Sequence, residues 1–461
     1  MSLDPVIAVN RFGMGAAPGE LAAVAGDPRG WLAAQAAQPA PSYPEFDRLN
    51  SSEEGLKVYA RWIAKVRELR SGMQDSMQGA PRGIEDRFRT FFGPIILDEV
   101  GARLAVAAAT PAPFHERLTW FWANHFTVSA EKPVVFALVG SFEREAIRPN
   151  VNGRFGDMLL ACTRHPAMIL YLDNQRSVRN GWVPRRRAPN ARVEPPTGLN
   201  ENLAREILEL HTLGADAGYT QADVTEFARV LTGWTVGARP SPGFRFVPDR
   251  HEPGPRTLLG RTYAEEGAAQ GEAVLRDLAA HPATARHVAT KLARHFIADD
   301  PPAAAVARIE RAFLDTGGHL PSVHGALLEC PEAWAQPLAK LKTPIEYVTS
   351  CLRALPAARA AKPQALYYAL RSMGQRPYFA PSPQGWPDSA AAWAGADAVW
   401  KRVEWAGILA ARAGWGVDPA RLAADSYGGA VSVRTSVAVA RAESQTQGLA
   451  LWLASPEFQR R

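Results

Sequence analysis

Apolar residues recur every three to four positions along most of the chain, and this spacing is typical of amphipathic α-helices. The clearest such segments are Ile95–Ala109, Phe155–Thr163, Ala283–Phe296 and Pro344–Leu355. Helix starts are predicted where a polar residue precedes a proline, because proline at the first helical position leaves no N–H unpaired. Four pairs fit this rule: Asp27-Pro28, His165-Pro166, His281-Pro282 and Thr343-Pro344. The pattern predicts a mainly α fold, a large helical protein of packed helix pairs.

One stretch departs from the helical pattern. Two short runs, Phe244–Val247 and Arg256–Gly260, flank the proline- and glycine-bearing segment Pro248–Pro255. They predict a small β-hairpin or flap near residues 244–260. A chain of 461 residues exceeds what one hydrophobic core usually organises. We therefore expect either one helical unit over residues 1–461 or two lobes, about 1–240 and about 264–461, joined by the hairpin segment.

The segment Asn200–Gly214 predicts a helix with a histidine on its apolar side. At about 100° per residue, His211 falls among leucine, isoleucine and alanine side chains, whereas Glu201, Arg205 and Glu209 share the polar arc. An unpaired buried imidazole costs roughly 1–3 kcal/mol, so His211 should meet a carboxylate, a carbonyl, a metal or a second histidine. A hydrogen-bonded core histidine and a site histidine both fit the pattern. The polar arc fits ordinary surface ion pairs as well.

Two further segments place polar groups in apolar surroundings. The sequence Trp120-Phe121-Trp122-Ala123-Asn124-His125-Phe126 predicts a buried helix in which His125 is a second histidine on a hydrophobic arc. The run His165–Asn174 leads a short helix into Asp173. Because the helix dipole disfavours a carboxylate at the carboxyl end, Asp173 should have a positive group nearby.

These residues form the candidate catalytic set: His125, Asp173, Glu201 and His211. Imidazole and carboxylate groups suit zinc, manganese or iron, so a divalent metal is a candidate cofactor. No H-E-x-x-H, E-x-x-H or D-x-D spacing places two ligands on one turn, and a metal-free acid–base site built from Asp173 or Glu201 with His211 is the alternative. Substrate contacts are expected from Asn124, Asn174, Asn202, Arg205 and Trp386.

Composition narrows the choice of partner only slightly. The chain is 47% hydrophobic and 21% charged, as in an ordinary globular protein. Its 52 basic and 46 acidic residues give a net charge of +6, which permits an anionic substrate without requiring nucleic acid. Six arginines lie in the segment Arg176–Gly198, which fits a basic lid or a solvated loop. With Trp182 as its single aromatic residue, the segment predicts no stacking platform, so nucleic acid is not favoured.

Targeting signals are not evident in the sequence. No basic stretch followed by an apolar stretch comes after Met1, and no run of roughly 18 or more apolar residues predicts a membrane span. We expect a cytoplasmic protein as the sequence stands, or a periplasmic one if the chain is the mature form of an exported protein. Three isolated cysteines argue against a disulfide framework.

Six ordered motifs together resemble the bacterial family called domain of unknown function 1800. They are WFWANHF at 120–126, FEREAIRP at 142–149, HPAMILYLDN at 165–174, NENLAREILELHTLG at 200–214, the segment from Gly218 to Trp234, and GWPD at 385–388. The resemblance covers nearly the whole chain. It implies no assigned activity and no established catalytic residue. It also implies that members are often exported and encoded beside sulfatase-like secreted proteins, which makes a protein of that kind a candidate partner.

Two function hypotheses follow. The first is a hydrolase-like or metal-assisted enzyme with a buried His/Asp/Glu site between the segments that carry His125, Asp173 and Glu201. The alternative is a noncatalytic helical partner or assembly protein, in which the polar residues form a structural network. The second hypothesis predicts coupled losses of stability at Asn124, His125, Glu201 and His211.

Overall fold

Helices form most of the computed structural model, which describes residues 2–39, 41–73, 80–183, 198–237 and 242–461. Before the first strand the α-helices are α1 (Asp4–Ile7), α2 (Glu20–Val24), α3 (Pro28–Ala37), α4 (Ser52–Met73), α5 (Ala80–Ala109), α6 (Pro113–His125), α7 (Pro133–Phe136), α8 (Val139–Phe142), α9 (Phe155–Arg164), α10 (Pro166–Tyr171), α11 (Asn202–Glu206) and α12 (Gln221–Val230). After the last strand they are α13 (Ala268–Ala280), α14 (Pro282–Phe296), α15 (Ala303–Asp315), α16 (Leu320–Leu328), α17 (Glu332–Ala335), α18 (Pro344–Ala354), α19 (Pro363–Ser372), α20 (Ala390–Trp393), α21 (Ala396–Ala413), α22 (Pro419–Tyr427), α23 (Val433–Ala440) and α24 (Gln445–Ala454). The prediction of a mainly α fold is confirmed.

Shorter helical turns join these elements. Turns of 3₁₀-helix occur at Pro44–Phe46, Arg148–Asn150, Asn174–Arg176, Pro248–Arg250, Pro356–Ala360 and Gly428–Ala430. Within the described ranges, π-helical turns, in which the hydrogen bond reaches one residue further than in an α-helix, occur at Ala8–Phe12, Glu143–Ile147 and Ile207–His211. The last of these replaces the second half of the α-helix expected over residues 200–214.

The described strands form two small antiparallel pairs. Strand β1 (Trp234–Gly237) pairs with β2 (Gly243–Phe246), and β3 (Arg256–Leu258) pairs with β4 (Arg261–Tyr263). The small hairpin expected near residues 244–260 is therefore confirmed, but the two runs pair with neighbours instead of with each other. The cause is the tight turn after β3, where Leu259 and Gly260 have φ of 50° and 75°. Positive φ at both central residues suits a two-residue hairpin.

The helix starts follow the local rules. Helices α3, α10, α14 and α18 each begin at the proline of a predicted pair. At α10 and α14 the preceding histidine accepts a hydrogen bond through Nδ1 from the N–H of the second helical residue, at 3.1 Å in both cases. At α18 Thr343 and Glu346 form a capping box, in which the Glu346 carboxylate accepts from the N–H of Thr343 at 2.8 Å. The cap fixes where Glu346 lies.

Apolar side chains from most of the chain meet in one hydrophobic cluster, which runs in sequence from Val6 to Phe458. A second, smaller cluster around Trp62 and Phe92 joins α4 to α5. The division into two lobes stays a prediction. No described helix is both long enough and apolar enough to cross a membrane.

The elements around the candidate site are α6, α14 and the loop of residues 373–389 between α19 and α20. Helix α6 is buried on nearly every side, as its apolar sequence predicts. Residues 184–197 of the arginine-rich segment, for which a basic lid or a solvated loop was expected, lie outside the described residues.

Candidate functional site

A cavity of about 500 Å³ opens between the carboxyl end of α6, one side of α14 and the loop 373–389. Its volume is in the range of small-molecule pockets, roughly 300–1,000 Å³. Aromatic rings line part of it, and its polar lining includes His125, His287, Lys291, Arg294, His295, Glu346 and Asp388. An apolar pocket with a few convergent polar groups is the usual form of a binding or active site.

Helix α14 contributes a stripe of titratable side chains to the cavity. His287, Lys291 and His295 are four residues apart, so they project from the same side of the helix. Val288, Leu292 and Phe296, on the neighbouring side, are buried in the core. The burial of that apolar side fixes the stripe in the cavity wall.

His295 and Asp388 form a hydrogen-bonded pair in this wall. The ring Nδ1 of His295 donates to Oδ2 of Asp388 at 2.7 Å, and the ring Nε2 has no hydrogen-bond partner among the described residues. Burial lowers the pKa of His295, although the negative charge of Asp388 acts in the opposite direction. The ring is therefore neutral near pH 7, with a lone pair on Nε2. A carboxylate that orients a neutral imidazole is the arrangement of a general base.

Asp388 stays ionised because cations surround it. Burial acts to raise the pKa of Asp388, but its pairing with His295, which includes a hydrogen bond, and the positive charges of Lys340 and Arg461 outweigh this effect and leave the pKa below its ordinary value. Arg461 Nη2 lies 3.6 Å from Oδ1, and Lys340 donates to the main-chain oxygen of Asp388 at 2.5 Å. Arg461 also donates to the carbonyl of His295 at 2.8 Å, so it contacts both members of the pair.

Asn124 holds the loop that carries Asp388. Its side-chain amide donates to the carbonyl of Trp386 at 2.9 Å and accepts from the N–H of the same residue at 2.8 Å. The loop reaches Asn124 through Gly385, which has φ +85°, and a Cβ at this position would lie 2.5 Å from the Asn124 carbonyl oxygen. Only glycine combines this backbone conformation with so close an approach. Asn124 and Trp386, expected as substrate contacts, line the cavity and also brace the loop.

The predicted histidines His125 and His211 are both 1% exposed, and their ring centroids are 6.3 Å apart. His125 Nε2 donates to the carbonyl of His211 at 3.0 Å, and His287 Nε2 donates to the carbonyl of Leu210 at 3.0 Å. Both acceptors belong to the π-helical turn that ends the NENLARE segment. His211 therefore contributes a carbonyl to this cluster.

The burial of His211 suggested that its ring would have a hydrogen-bond partner. Nε2 of the ring has none among the described residues, and the ring packs against Phe126 with centroids 5.2 Å apart. Burial, together with the charge of Lys291, lowers the pKa of His211 to about 3. The same causes lower the pKa of His287 to about 4. The histidines at this end of the cavity are therefore neutral at pH 7.

Carboxylates at the other end of the cavity are paired. Glu143 forms an ion pair with Arg103, whose Nε lies 2.9 Å from Oε2, and the Arg103 guanidinium lies 4.6 Å from the ring centre of Trp120. Glu346 pairs with Arg117 and with Arg461. In these ion pairs the acidic side chains hold arginine side chains in position.

Asp173 and Glu201 lie outside this cavity. Asp173 Oδ2 accepts from Lys132 Nζ at 2.6 Å, so Lys132 is the positive group that the sequence led us to expect. Glu201 accepts from Arg205 at 3.2 Å and from Thr225 at 2.7 Å. The hydrogen bond from Thr225, more than the charge of Arg205, lowers the pKa of Glu201.

The remaining predicted contacts, Asn174, Asn202 and Arg205, are likewise not in the cavity lining. Asn174 is buried and donates to the carbonyls of Leu231 and Trp234 at 3.1 and 2.9 Å. Asn202 is exposed at the start of α11. Of the nine predicted site residues, Asn124, His125 and Trp386 line the cavity, and His211 lies directly behind it.

A metal centre has no preformed ligand set in the part of the chain that the structure describes. No group of three or more His, Cys, Asp or Glu side chains there is arranged to hold a metal ion.

Sequence reasoning missed His287, Lys291, His295 and Asp388. Two signals were available: the four-residue spacing of His287, Lys291 and His295 beside an apolar helix face, and the acid at the end of the GWPD motif. Neither signal distinguishes a cavity wall from a solvated surface. The pairing of His295 with Asp388 spans 93 residues and depends on the tertiary fold.

The protein is thus of the mainly α-helical class, and its fold encloses a cavity whose wall contains a hydrogen-bonded Asp–His pair. The chain matches the family described as "Protein of unknown function (DUF1800)" over residues 7–460, and it belongs to that family. Neither the curated proteins nor the solved structures gave a match to the chain.

Proposed function

We propose that the protein is an enzyme of the hydrolase type, in which His295 acts as a general base in the cavity and Asp388 orients it. The observation that carries this proposal is the 2.7 Å hydrogen bond from His295 Nδ1 to Asp388, with Nε2 unpaired among the described residues and both side chains in the lining of a cavity of about 500 Å³. A histidine that serves only packing would need neither a carboxylate bonded to its ring nor a cavity.

The proposed chemistry starts from neutral His295. Its Nε2 takes a proton from a water molecule as the water oxygen attacks the bound substrate. The imidazolium that forms is stabilised by Asp388, whose negative charge is retained in the cavity wall by Lys340 and Arg461. The same imidazolium then returns the proton to the leaving group. Asn124 acts through the loop, since its two hydrogen bonds to Trp386 place Asp388 against the ring.

Hydrolysis of chromogenic esters and phosphoesters tests this proposal. We expect turnover of at least one substrate class by the wild-type chain, and a loss of about 10²–10⁴-fold in kcat for His295→Gln. Asp388→Asn should lower kcat as well, because an amide does not stabilise the imidazolium. His319→Gln is the matched control, since His319 is half-buried, hydrogen bonds Ser322 at 2.8 Å and does not line the cavity.

The pH profile adds an independent check. Because burial lowers the pKa of His295, kcat/KM should rise with pH through a value below the ordinary histidine pKa and then level off. Wild-type turnover in a folded His295→Gln variant would refute the proposal.

The alternative is a noncatalytic partner or assembly protein, and the family resemblance makes a sulfatase-like secreted protein its candidate partner. The hydrogen bonds from Asn124 to Trp386 and from His125 to the His211 carbonyl support it, because they tie α6 to two distant segments. This alternative expects His295→Gln to change only the free energy of unfolding. It also expects that double substitution at Asn124 and His125 costs a different amount from the sum of the single changes.

A further inference from the structure

Lys291 is a lysine in the cavity wall that has no counter-ion among the described residues. It is half-buried on α14, and no described group forms a hydrogen bond or an ion pair with its Nζ. Burial lowers the pKa of Lys291 to about 8, and the attraction of Asp388 opposes this only in part. At pH 7 the ammonium is still about 90% protonated. The cavity therefore holds a positive charge that no described carboxylate neutralises at contact distance.

The acids of the cavity are all committed elsewhere. Glu143 pairs with Arg103, Glu346 pairs with Arg117, and Asp388 pairs with His295. The lining contains four lysine or arginine side chains, namely Arg103, Arg117, Lys291 and Arg294, against these three carboxylates. The two cations left over, Lys291 and Arg294, are on the same helix.

Lys291 and Arg294 lie one turn apart on α14 and repel each other, which is one cause of the lowered pKa of Lys291. The Nε of Arg294 donates to the carbonyl of Asp299 at 3.2 Å, and no described carboxylate contacts its guanidinium. The other titratable groups that face Lys291 are Asp388 and three histidines held neutral by burial, His125, His211 and His287. Without a ligand, two like charges share one side of the cavity.

We propose that Lys291 and Arg294 bind an oxyanion of the substrate, a carboxylate or a phosphate group. Charge-assisted hydrogen bonds from an ammonium and a guanidinium are the usual way in which proteins hold such groups. His295 follows Lys291 by four positions on α14, which corresponds to about 6 Å along the helix axis. The substrate class is thus a small anionic compound whose reacting bond lies about one helical turn from its charge. This inference rests on the proposed function, because it takes the bound anion to be part of the substrate. Binding of the anion is nevertheless measured without turnover.

The chain has eight lysines, so ¹³Cε-lysine labelling gives a spectrum in which each can be resolved. The signals of Lys291 and Lys342 should titrate below the ordinary lysine range. Lys342 is an internal control, because it is fully enclosed and donates to Tyr427 and to the carbonyl of Phe458 at 2.8 and 2.9 Å. Burial lowers its pKa to about 7.

Inorganic phosphate and acetate are the probes. Addition of the preferred anion should raise the pKa of Lys291 by about one unit, which corresponds to a tenfold preference for the charged form, and should leave Lys342 unchanged. If phosphate shifts the signal and acetate does not, the site takes a phosphate group; the reverse result assigns a carboxylate. If neither anion moves the Lys291 signal at saturating concentration, the inference is overturned.

Variants measured by calorimetry provide the second test. Lys291→Gln should weaken binding of the preferred anion about tenfold or more, and Arg294→Gln should weaken it by a similar factor. Lys362→Gln, an exposed lysine before α19, is the matched control and should bind as the wild type does. Equal affinity in Lys291→Gln and the control would overturn the inference. The lysine titration of the wild-type chain decides the matter if Lys291→Gln does not fold.

The anion-binding inference and the proposed function fail in different ways. His295→Gln should retain anion binding while it loses turnover. Anion binding with wild-type turnover in His295→Gln would overturn the function and leave the anion site standing. Loss of turnover in His295→Gln without any anion effect on Lys291 would leave the function standing and overturn the anion site.

Discussion

His324 gives the most direct test of the electrostatic reasoning, because it is an imidazole buried in the core. It lies on α16 and is 0% exposed, and neither ring nitrogen has a hydrogen-bond partner among the described residues. Its surroundings include the ring of Phe114 and a second buried histidine, His115. Burial, with smaller contributions from His115 and His319, lowers the pKa of His324 to about 3.

The sign of the effect follows from proton counting. The folded state leaves His324 neutral down to about pH 3, whereas in the unfolded state the histidine takes up a proton near its ordinary pKa of 6.5. Between these values the unfolded state binds more protons, so stability rises with pH and is lost on acidification. At pH 5 the unfolded histidine is about 97% protonated. The difference between pH 7 and pH 5 is about 2 kcal/mol of unfolding free energy from this one residue.

His324→Leu removes this titration. Urea unfolding at pH 7 and pH 5 should show that the acid-induced loss of stability is about 2 kcal/mol smaller in the variant than in the wild type. Val323→Ala, a buried position on the same helix, is the control, since it should lower stability by the same amount at both pH values. An unchanged pH difference in His324→Leu would show that the buried neutral histidine is not the cause.

Three further predictions concern residues near the site, and each is checked by urea unfolding. Gly385→Ala should lower the free energy of unfolding by at least about 2 kcal/mol, because the new Cβ would lie 2.5 Å from a carbonyl oxygen. Gly374→Ala in the same loop is the control. Gly374 has φ +90° and no atom within 4 Å of the added Cβ, so this change should show only the backbone strain of about 1 kcal/mol. Asn124→Ala should cost about 2 kcal/mol, since it removes two hydrogen bonds to the loop, and a loss below about 0.5 kcal/mol would contradict the bracing role. Lys132→Met should cost no more than about 1 kcal/mol, because its pair with Asp173 is more than a third exposed; a larger loss would mean that the pair matters more than its exposure indicates.

The helices were predictable because their signals are local. A polar residue before a proline placed the starts of α10 and α14, and the structure shows the histidine ring taking the capping role there. The burial of His125 and His211 was predictable for the same reason, since both lie on arcs of apolar residues within one helix. Helical periodicity needs no information from the rest of the chain.

The site was only partly predictable, because it depends on contacts between distant segments. Asp173 and Asp388 each follow an aromatic residue by two positions, Tyr171 and Trp386, and nothing in the local sequence tells which of the two acids meets a histidine. In the fold Lys132 neutralises Asp173, whereas His295 reaches Asp388 from a helix 93 residues earlier. Whether a carboxylate can orient a general base therefore depends on the side chain that the fold brings next to it, and not on the sequence around the acid.

In the NENLARE segment the atoms that contact the cavity residues differ from the atoms that the sequence led us to expect. Its carboxylates and the ring of His211 were expected to carry chemistry, but the segment meets the cavity through main-chain oxygens. The last carbonyls of a helix have no partner within the helix, and here those of Leu210 and His211 accept from His287 and His125. A carbonyl can only accept, so each of these rings must carry its proton on Nε2 and present Nδ1 as an acceptor. The π-helical turn thus sets the tautomer of two cavity histidines, an effect that no pattern of side chains reveals.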